Sequence, residues 1–127
     1  MEYLLAQGVK IVFCPNNFGR EFYLTNEDVE KIAQSGNVGQ VLAEIFKGYK
    51  DNFIKEGVAM YDSTAVFAFL NKRACKIKRC FMEIKYYDAL DTALAIPHFG
   101  AKNNNAEIIV KMNGNKMKKG LFKLIKK

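Results

Sequence analysis

One short segment carries the residues best suited to chemistry. In MYDSTAVFAFL, residues 60–70, a tyrosine and an aspartate stand directly before a run of small and apolar residues that is typical of a buried helix. An aspartate at such a point can accept hydrogen bonds from the first backbone N–H groups of the helix, or it can bind a metal ion. The residues by themselves favour Asp62 as the helix cap, and the ligand role stays open.

The other residue types that do chemistry are few and dispersed. His98 is the only histidine, and the three cysteines, Cys14, Cys75 and Cys80, show no C-x-x-C spacing. An odd number of cysteines without that spacing indicates reduced thiols rather than disulfides or a zinc site. The thirteen acidic residues include no closely spaced set of aspartates. No complete catalytic or metal site is therefore expected from this chain alone.

The elements that position these residues alternate between strand and helix patterns. Residues 9–14 form an apolar, β-branched run that predicts a buried strand of a parallel sheet, and turn residues follow at 15–19. Thr25, with Asp28 three residues later, predicts a helix that opens with a capping box. Alternation predicts a strand at 76–87, and further strands are expected at 93–96 and 106–112.

Two further segments have helical periodicity. The longest predicted helix runs from residue 38 to Gly57, and we expect its apolar stripe to pack into the core. The members of that stripe are Val38, Val41, Leu42, Ile45, Phe46, Tyr49 and Phe53. In the lysine-rich segment 116–127, leucine and isoleucine should dock on the domain while the lysines face solvent.

Length and composition predict one globular domain over residues 1–127. Mixed strands and helices indicate an α/β fold, a layered domain with a mixed or parallel sheet flanked by helices. No apolar run is long enough to span a membrane and the first residues do not have a leader pattern, so we expect a cytoplasmic protein. The formal net charge is +7, but lysines spread along the chain carry most of it, and we do not expect nucleic acid as a partner.

Three segments, in order, resemble the C-terminal half of the inosine-uridine type nucleoside hydrolases. GVKIVFCPNNFGREFYLTNEDVEKI is similar to that family's strand, its P-L-D-V-T loop and the helix that follows. MYDSTAVFAFL is similar to H-D-P-x-A-V-A-x-L, and NNAEIIVKMN followed by Phe122 is similar to a late strand and the closing helix. The resemblance covers nearly the whole chain and implies the C-terminal part of the nucleoside hydrolase fold.

The resemblance implies a role for several residues. Asp62 stands at the position of an aspartate ligand of the family's calcium ion, and Gly19 at that of a residue that donates its backbone carbonyl to the ion. Tyr61 replaces a histidine beside the nucleobase, while Tyr49 and Phe53 lie on a helix that borders the base site, where they could stack on a base. With an unperturbed pKa of about 10, a tyrosine is a poor proton donor for the leaving base.

The family's N-terminal D-x-D-x-G-x-D-D cluster has no counterpart here, and calcium needs roughly six to eight oxygen ligands. We therefore expect a fragment or truncated version of a calcium-dependent nucleoside N-glycosyl hydrolase that neither binds calcium tightly nor acts alone. A companion chain that supplies the N-terminal half, or a homo-oligomer, stays open. The alternatives are a non-catalytic interaction module on the same scaffold and a small basic nucleic-acid-binding domain.

Overall fold

A computed structural model describes residues 1–49, 57–87 and 92–125. In sequence order its elements are α1 (Glu2–Ala6), β1 (Val12–Phe13), α2 (Asn17–Glu21), α3 (Asn26–Ala33), α4 (Asn37–Gly48), α5 (Tyr61–Leu70), a 3₁₀ turn (Lys72–Ala74), β2 (Cys75–Tyr87), β3 (Thr92–His98), β4 (Ala106–Met112) and α6 (Gly114–Ile125). The chain divides into two compact units, and each is built from separate stretches of sequence. Unit 1 contains residues 1–14 and 76–111, and unit 2 contains residues 15–75 and 112–127.

Unit 1 is organised around a four-stranded sheet with the strand order β1-β4-β2-β3. β1 runs parallel to β4, with Val12 opposite Glu107, whereas β2 and β3 pair antiparallel over seven residues of each strand. The sheet is therefore mixed, and the predicted α/β fold class is confirmed. Its core contains Leu5, Cys80, Met82, Ala106 and Ile108.

An asparagine side chain extends the hydrogen bonding between β2 and the segment that leads into β4. The Asn105 amide accepts from the Met82 N–H at 2.7 Å and donates to the Met82 carbonyl at 3.2 Å. The same residue donates its backbone N–H to the carbonyl of Cys80. The Asn105 side chain thus pairs with the backbone N–H and C=O of Met82 as a residue of a neighbouring strand would. These bonds hold the segment before β4 against β2.

Unit 2 is helical, and α3 forms for the reason that the sequence indicates. The Thr25 hydroxyl accepts from the Asp28 N–H at 3.2 Å, and the Asp28 carboxylate accepts from the Thr25 N–H at 3.0 Å. This reciprocal capping box confirms the predicted helix start. Lys118 of α6 donates to the same carboxylate, so the cap also joins α3 to α6.

The apolar stripe of α4 does not pack as the sequence predicts. α4 packs against α3 through its smallest residues, and Gly39 and Ala43 are its buried members. Val38, Val41 and Ile45 are 58–68% exposed. Leu42 and Phe46 are half-buried, so the prediction is wrong for part of the stripe. Hydrophobic periodicity does not show which residues of a helix lie at a close helix contact, and small residues permit the closest approach. The helix ends at Gly48 and Tyr49 has extended backbone, so the predicted uninterrupted helix to Gly57 is wrong. Phe53, on its predicted continuation, lies outside the described residues.

Three further predictions are corrected. The strand predicted at 9–14 reduces to Val12–Phe13, since β1 is an edge strand with β4 as its neighbour, and Val12 is exposed. The turn predicted at 15–19 contains the start of helix α2. In α6, Leu124 is exposed while Lys118 is held against Asp28, although Met117 is fully buried.

None of the helices in the described ranges has the length and hydropathy that a bilayer span requires. The single domain expected over residues 1–127 stays a prediction.

Candidate functional site

The two segments that resemble hydrolase motifs meet in unit 2, where α2 packs against the start of α5. A pair of backbone hydrogen bonds brings them together, because Leu24 and Val58 each donate to the other's carbonyl, at 2.9 and 2.8 Å. Val58, Ala59 and Met60 are buried, so the chain enters α5 along a fixed path.

Gly19 lies directly against the first residue of α5. A Cβ on Gly19 would stand 2.5 Å from Tyr61 Cδ1 and 2.8 Å from Tyr61 Cα. Its carbonyl accepts the Met60 N–H at 3.1 Å. Since any side chain would collide with the Tyr61 backbone, glycine is required for this approach. The structure therefore brings Gly19, Tyr61 and Asp62 into one neighbourhood, and the ligand roles of Gly19 and Asp62 stay predictions.

Asp62 is in the first turn of α5 and is exposed. The helix begins at Tyr61, its N-cap is Met60, and no side chain caps it. The cap role that the residues alone favour for Asp62 is wrong, because the helix starts two residues earlier than Ser63. A carboxylate in the first turn still interacts favourably with the positive end of the helix dipole.

Tyr61 is oriented by a residue that sequence reasoning missed. Arg20 of α2 directs Nε at the Tyr61 hydroxyl oxygen over 3.4 Å, although the two residues are 41 positions apart. The sequence predicts a turn at 15–19 and not a helix, so it does not indicate this contact. Arg20 is in helix α2, and the helix places its side chain next to α5. Arg20 places a permanent positive charge next to the residue that precedes Asp62.

A buried threonine stabilises the first turn of α5 on the side that faces the core. Thr64 is fully buried, and its hydroxyl donates to the carbonyl of Met60. One turn further along α5, Phe67 packs edge-on against Phe22, with ring centroids 6.0 Å apart. Asp62 is therefore exposed at the start of a helix whose opposite face is held in the core.

The aromatic residues expected at a base site are placed differently. Tyr49 follows α4 as its C-terminal cap residue and is half exposed. α4 packs mainly on α3, whereas α5 packs on α2 and α6. Phe53 lies outside the described residues. Stacking of Tyr49 and Phe53 on a base stays a prediction.

The donor set around Asp62 does not fit a calcium ion without further ligands. Within residues 1–49, 57–87 and 92–125, no three His, Cys, Asp or Glu side chains are grouped as a metal site. The Gly19 carbonyl already accepts one hydrogen bond, and the positive charge of Arg20, which would repel a calcium ion, is nearby. One carboxylate and one carbonyl supply far fewer than the roughly six to eight oxygens that calcium requires.

In the part of the chain that the structure describes, the thiols and the histidine are not grouped as a metal site. All three cysteines are thiols outside any disulfide, as the sequence predicts, and burial raises the pKa of the Cys75 and Cys80 thiols. A raised pKa makes both thiols poor nucleophiles. His98 is in unit 1, where its Nε2 lies 2.8 Å from a carboxylate oxygen of Glu83 on the neighbouring strand.

Comparison with known proteins gives a distant relationship. No family model matches the chain. Two similar curated proteins, both non-specific ribonucleoside hydrolases RihC from Salmonella paratyphi A, are each 21% identical to it over 115 residues. The matched region covers 88% of this chain and 38% of each relative. The chain therefore spans less than two fifths of the length of the curated relatives it matches, and it is distantly similar to a nucleoside hydrolase.

Proposed function

We propose that this chain forms part of a nucleoside N-ribohydrolase site, and that it hydrolyses nucleosides only when a companion polypeptide supplies the aspartate cluster. One observation supports the proposal most directly. Two segments that resemble hydrolase motifs, far apart in sequence, meet in the fold with Gly19 against Tyr61 and Asp62. The distant similarity to ribonucleoside hydrolases over most of the chain agrees with it.

In the proposed site the residues have separate tasks. The exposed Asp62 carboxylate would supply one ligand to a shared calcium ion, and the Gly19 carbonyl, which accepts one hydrogen bond, would supply a second. Tyr61, whose hydroxyl accepts from Arg20, would lie at the position beside the nucleobase. Tyr49 and Phe53 remain proposed base contacts. The reaction would cleave the N-glycosidic bond of inosine or uridine, and a cytoplasmic location is part of the same proposal.

The test is base release from inosine and uridine in the presence of calcium. The chain alone should give no turnover above background, because no group of metal-binding side chains among the described residues could hold an ion that activates a water molecule. Co-expression with a polypeptide from the same genome that carries D-x-D-x-G-x-D-D should give turnover, and Asp62→Ala should abolish it. Glu44→Ala, a change at an exposed carboxylate of α4, is the matched control and should leave turnover unchanged.

Two results would contradict the proposal. The first is turnover by the chain alone that survives repurification and is lost in Asp62→Ala, since the site would then be complete without a companion. The second is turnover by the co-expressed pair that Asp62→Ala leaves intact, since the motif of α5 would then have no part in it.

A non-catalytic interaction module is a second candidate, and the exposed row on α4 favours it. Val38, Val41 and Ile45 have the 3,4 spacing of a helix-pairing seam, and all three face solvent. If the row docks another polypeptide, sedimentation equilibrium should show association that Val41→Glu removes. A wild-type chain that stays monomeric at high concentration, alone and with the companion, would contradict this candidate.

A further inference from the structure

A cleft at the C-terminal end of α5 combines positive charge with an exposed aromatic ring. It has a volume of about 390 Å³, and it is lined by Phe69, Leu70, Asn71, the turn Lys72–Ala74, and Lys116 of α6. Three of these residues are cationic and none is acidic. Phe69 is 73% exposed. An aromatic side chain in solvent among cations is not explained by core packing.

The cations of the cleft are available to a ligand. Among the described residues, ion pairs engage Lys118 with Asp28 and Lys47 with Glu30, but none involves Lys72, Arg73 or Lys116. Lys72 Nζ lies 5.8 Å from the centroid of the Phe69 ring, which leaves its charge unneutralised. The negative end of the α5 dipole accounts for attraction of a cation to this point. The helix dipole does not explain why three cations lie beside the exposed ring of Phe69.

Lysines on α6 extend the positive surface beyond the cleft. Lys116, Lys119 and Lys123 are exposed, and their spacing of three and four residues places them on one face of the helix. The row is about 10 Å long at the usual helical rise. Lys118, on another face, is the lysine that packs against α3. The sequence disperses these charges over residues 72–123, and the fold of unit 2 collects them.

We propose that this surface, which consists of Phe69, Lys72, Arg73, Lys116, Lys119 and Lys123, binds single-stranded nucleic acid. The cations contact successive phosphates, and an unpaired base stacks on the open face of Phe69. Single strands are bound in this way, by a positive groove with aromatic platforms, because every base offers a π-face. The inference is independent of the proposed hydrolase function, since it uses neither Asp62 nor Gly19.

The test measures fluorescence anisotropy of labelled oligo-dT and oligo-rU between 50 and 200 mM salt. The wild-type chain should bind both, and its affinity should fall steeply with salt. A Lys116→Gln, Lys119→Gln, Lys123→Gln triple variant should lose about two units of the log–log salt slope, at roughly 0.7 per phosphate contact. Phe69→Ala should weaken binding about tenfold without a change in slope.

A matched variant separates this surface from net charge. The control variant replaces three exposed lysines of unit 1, Lys76, Lys102 and Lys111, with glutamine and so removes the same charge. Its affinity should stay within about twofold of the wild-type value. Circular dichroism confirms folding of each variant. If the α6 triple variant does not fold, Lys119→Gln alone should reduce the salt slope by about 0.7 and carries the test together with Phe69→Ala.

Several outcomes overturn the proposal. The first is that the wild-type chain does not bind at 50 mM salt. The second is that the unit 1 control loses as much affinity as the α6 triple variant, and the third is that Phe69→Ala binds as tightly as the wild type. A fourth is competition by uridine monophosphate as effective as by the oligonucleotide, since that would indicate a site for a single nucleotide. A fifth is tighter binding of duplex than of single-stranded DNA, since a paired base cannot reach Phe69.

Discussion

Gly19 lies so close to Tyr61 that the position admits no side chain. We expect Gly19→Ala to destabilise the fold by about 1 to 3 kcal/mol, because the new Cβ would fall 2.8 Å from the Tyr61 backbone and the start of α5 would have to shift. Urea unfolding measures the change. Gly48→Ala is the control, since nothing lies within 4 Å of a Cβ there, and the same substitution in a helix should be stabilising by up to about 1 kcal/mol. Equal effects at both glycines would show that the contact with Tyr61 does not exist in solution.

Asp28 has a pKa that makes the stability of unit 2 depend on pH. Burial acts to raise the pKa of this carboxyl, but hydrogen bonds from Lys118 and Thr25 and the charge of Lys118 outweigh it, so the pKa lies below its usual value. A lowered folded pKa stabilises the fold above the unfolded value of about 3.9, and that stabilisation is lost as the pH falls through the folded pKa.

Asp28→Asn should therefore cost about 1 to 2 kcal/mol at pH 7, and the difference from wild type should shrink once the pH falls below about 4. Urea titrations at a series of pH values check this. Glu27→Gln is the matched change, because the ion pair of Glu27 with Lys31 is exposed and should contribute much less to the free energy of unfolding. A difference for Asp28→Asn that is the same at pH 3 and pH 7 would rule out the ionised carboxylate as its cause.

Among the elements, α4 buries Gly39 and Ala43 and exposes Val38, Val41 and Ile45. We expect Val41→Ser to change the free energy of unfolding by less than about 0.5 kcal/mol, because Val41 is 58% exposed. Ala43→Leu should cost about 1 to 3 kcal/mol, because Ala43 is only 2% exposed and a larger side chain would have to displace its neighbours. Thermal unfolding followed by circular dichroism compares the two. If Val41→Ser is the more damaging change, the apolar row is covered in solution.

The sequence predicts the elements whose signals are local. The capping box of α3 depends on two residues three apart, and β2 and β4 are long runs with a clear strand pattern, so all three are confirmed. The face by which α4 packs is determined by its tertiary contact with α3, and hydrophobic periodicity does not contain that information. The contact between Arg20 and Tyr61 could not be found for the same reason, since it joins distant segments.

At the scale of the whole molecule, the two units are interleaved along the chain. Unit 1 takes residues 1–14 and 76–111, so neither unit is one continuous stretch. We expect a single cooperative unfolding transition. Leu24→Ala in the core of unit 2 should cost about 2 to 5 kcal/mol, and hydrogen exchange should show the same loss of protection in β2 and β4 of unit 1. Loss confined to the amides of unit 2 would show that the units unfold separately, against the expected single domain.

The parallel pairing of β1 with β4 also sets an order of events during synthesis. Val12 and Phe13 pair with Glu107 and Ile108, so some 95 residues must be translated after β1 before its partner exists. At 5 to 20 residues per second, this takes about 5 to 20 s. Throughout that interval the apolar segment 9–13 leaves the ribosome with its backbone unpaired, and it has the composition that chaperones and other nascent strands bind. Of the four strands in this sheet, the one made first is therefore among the last to be paired, and the yield of folded chain should depend on what protects that segment during the delay.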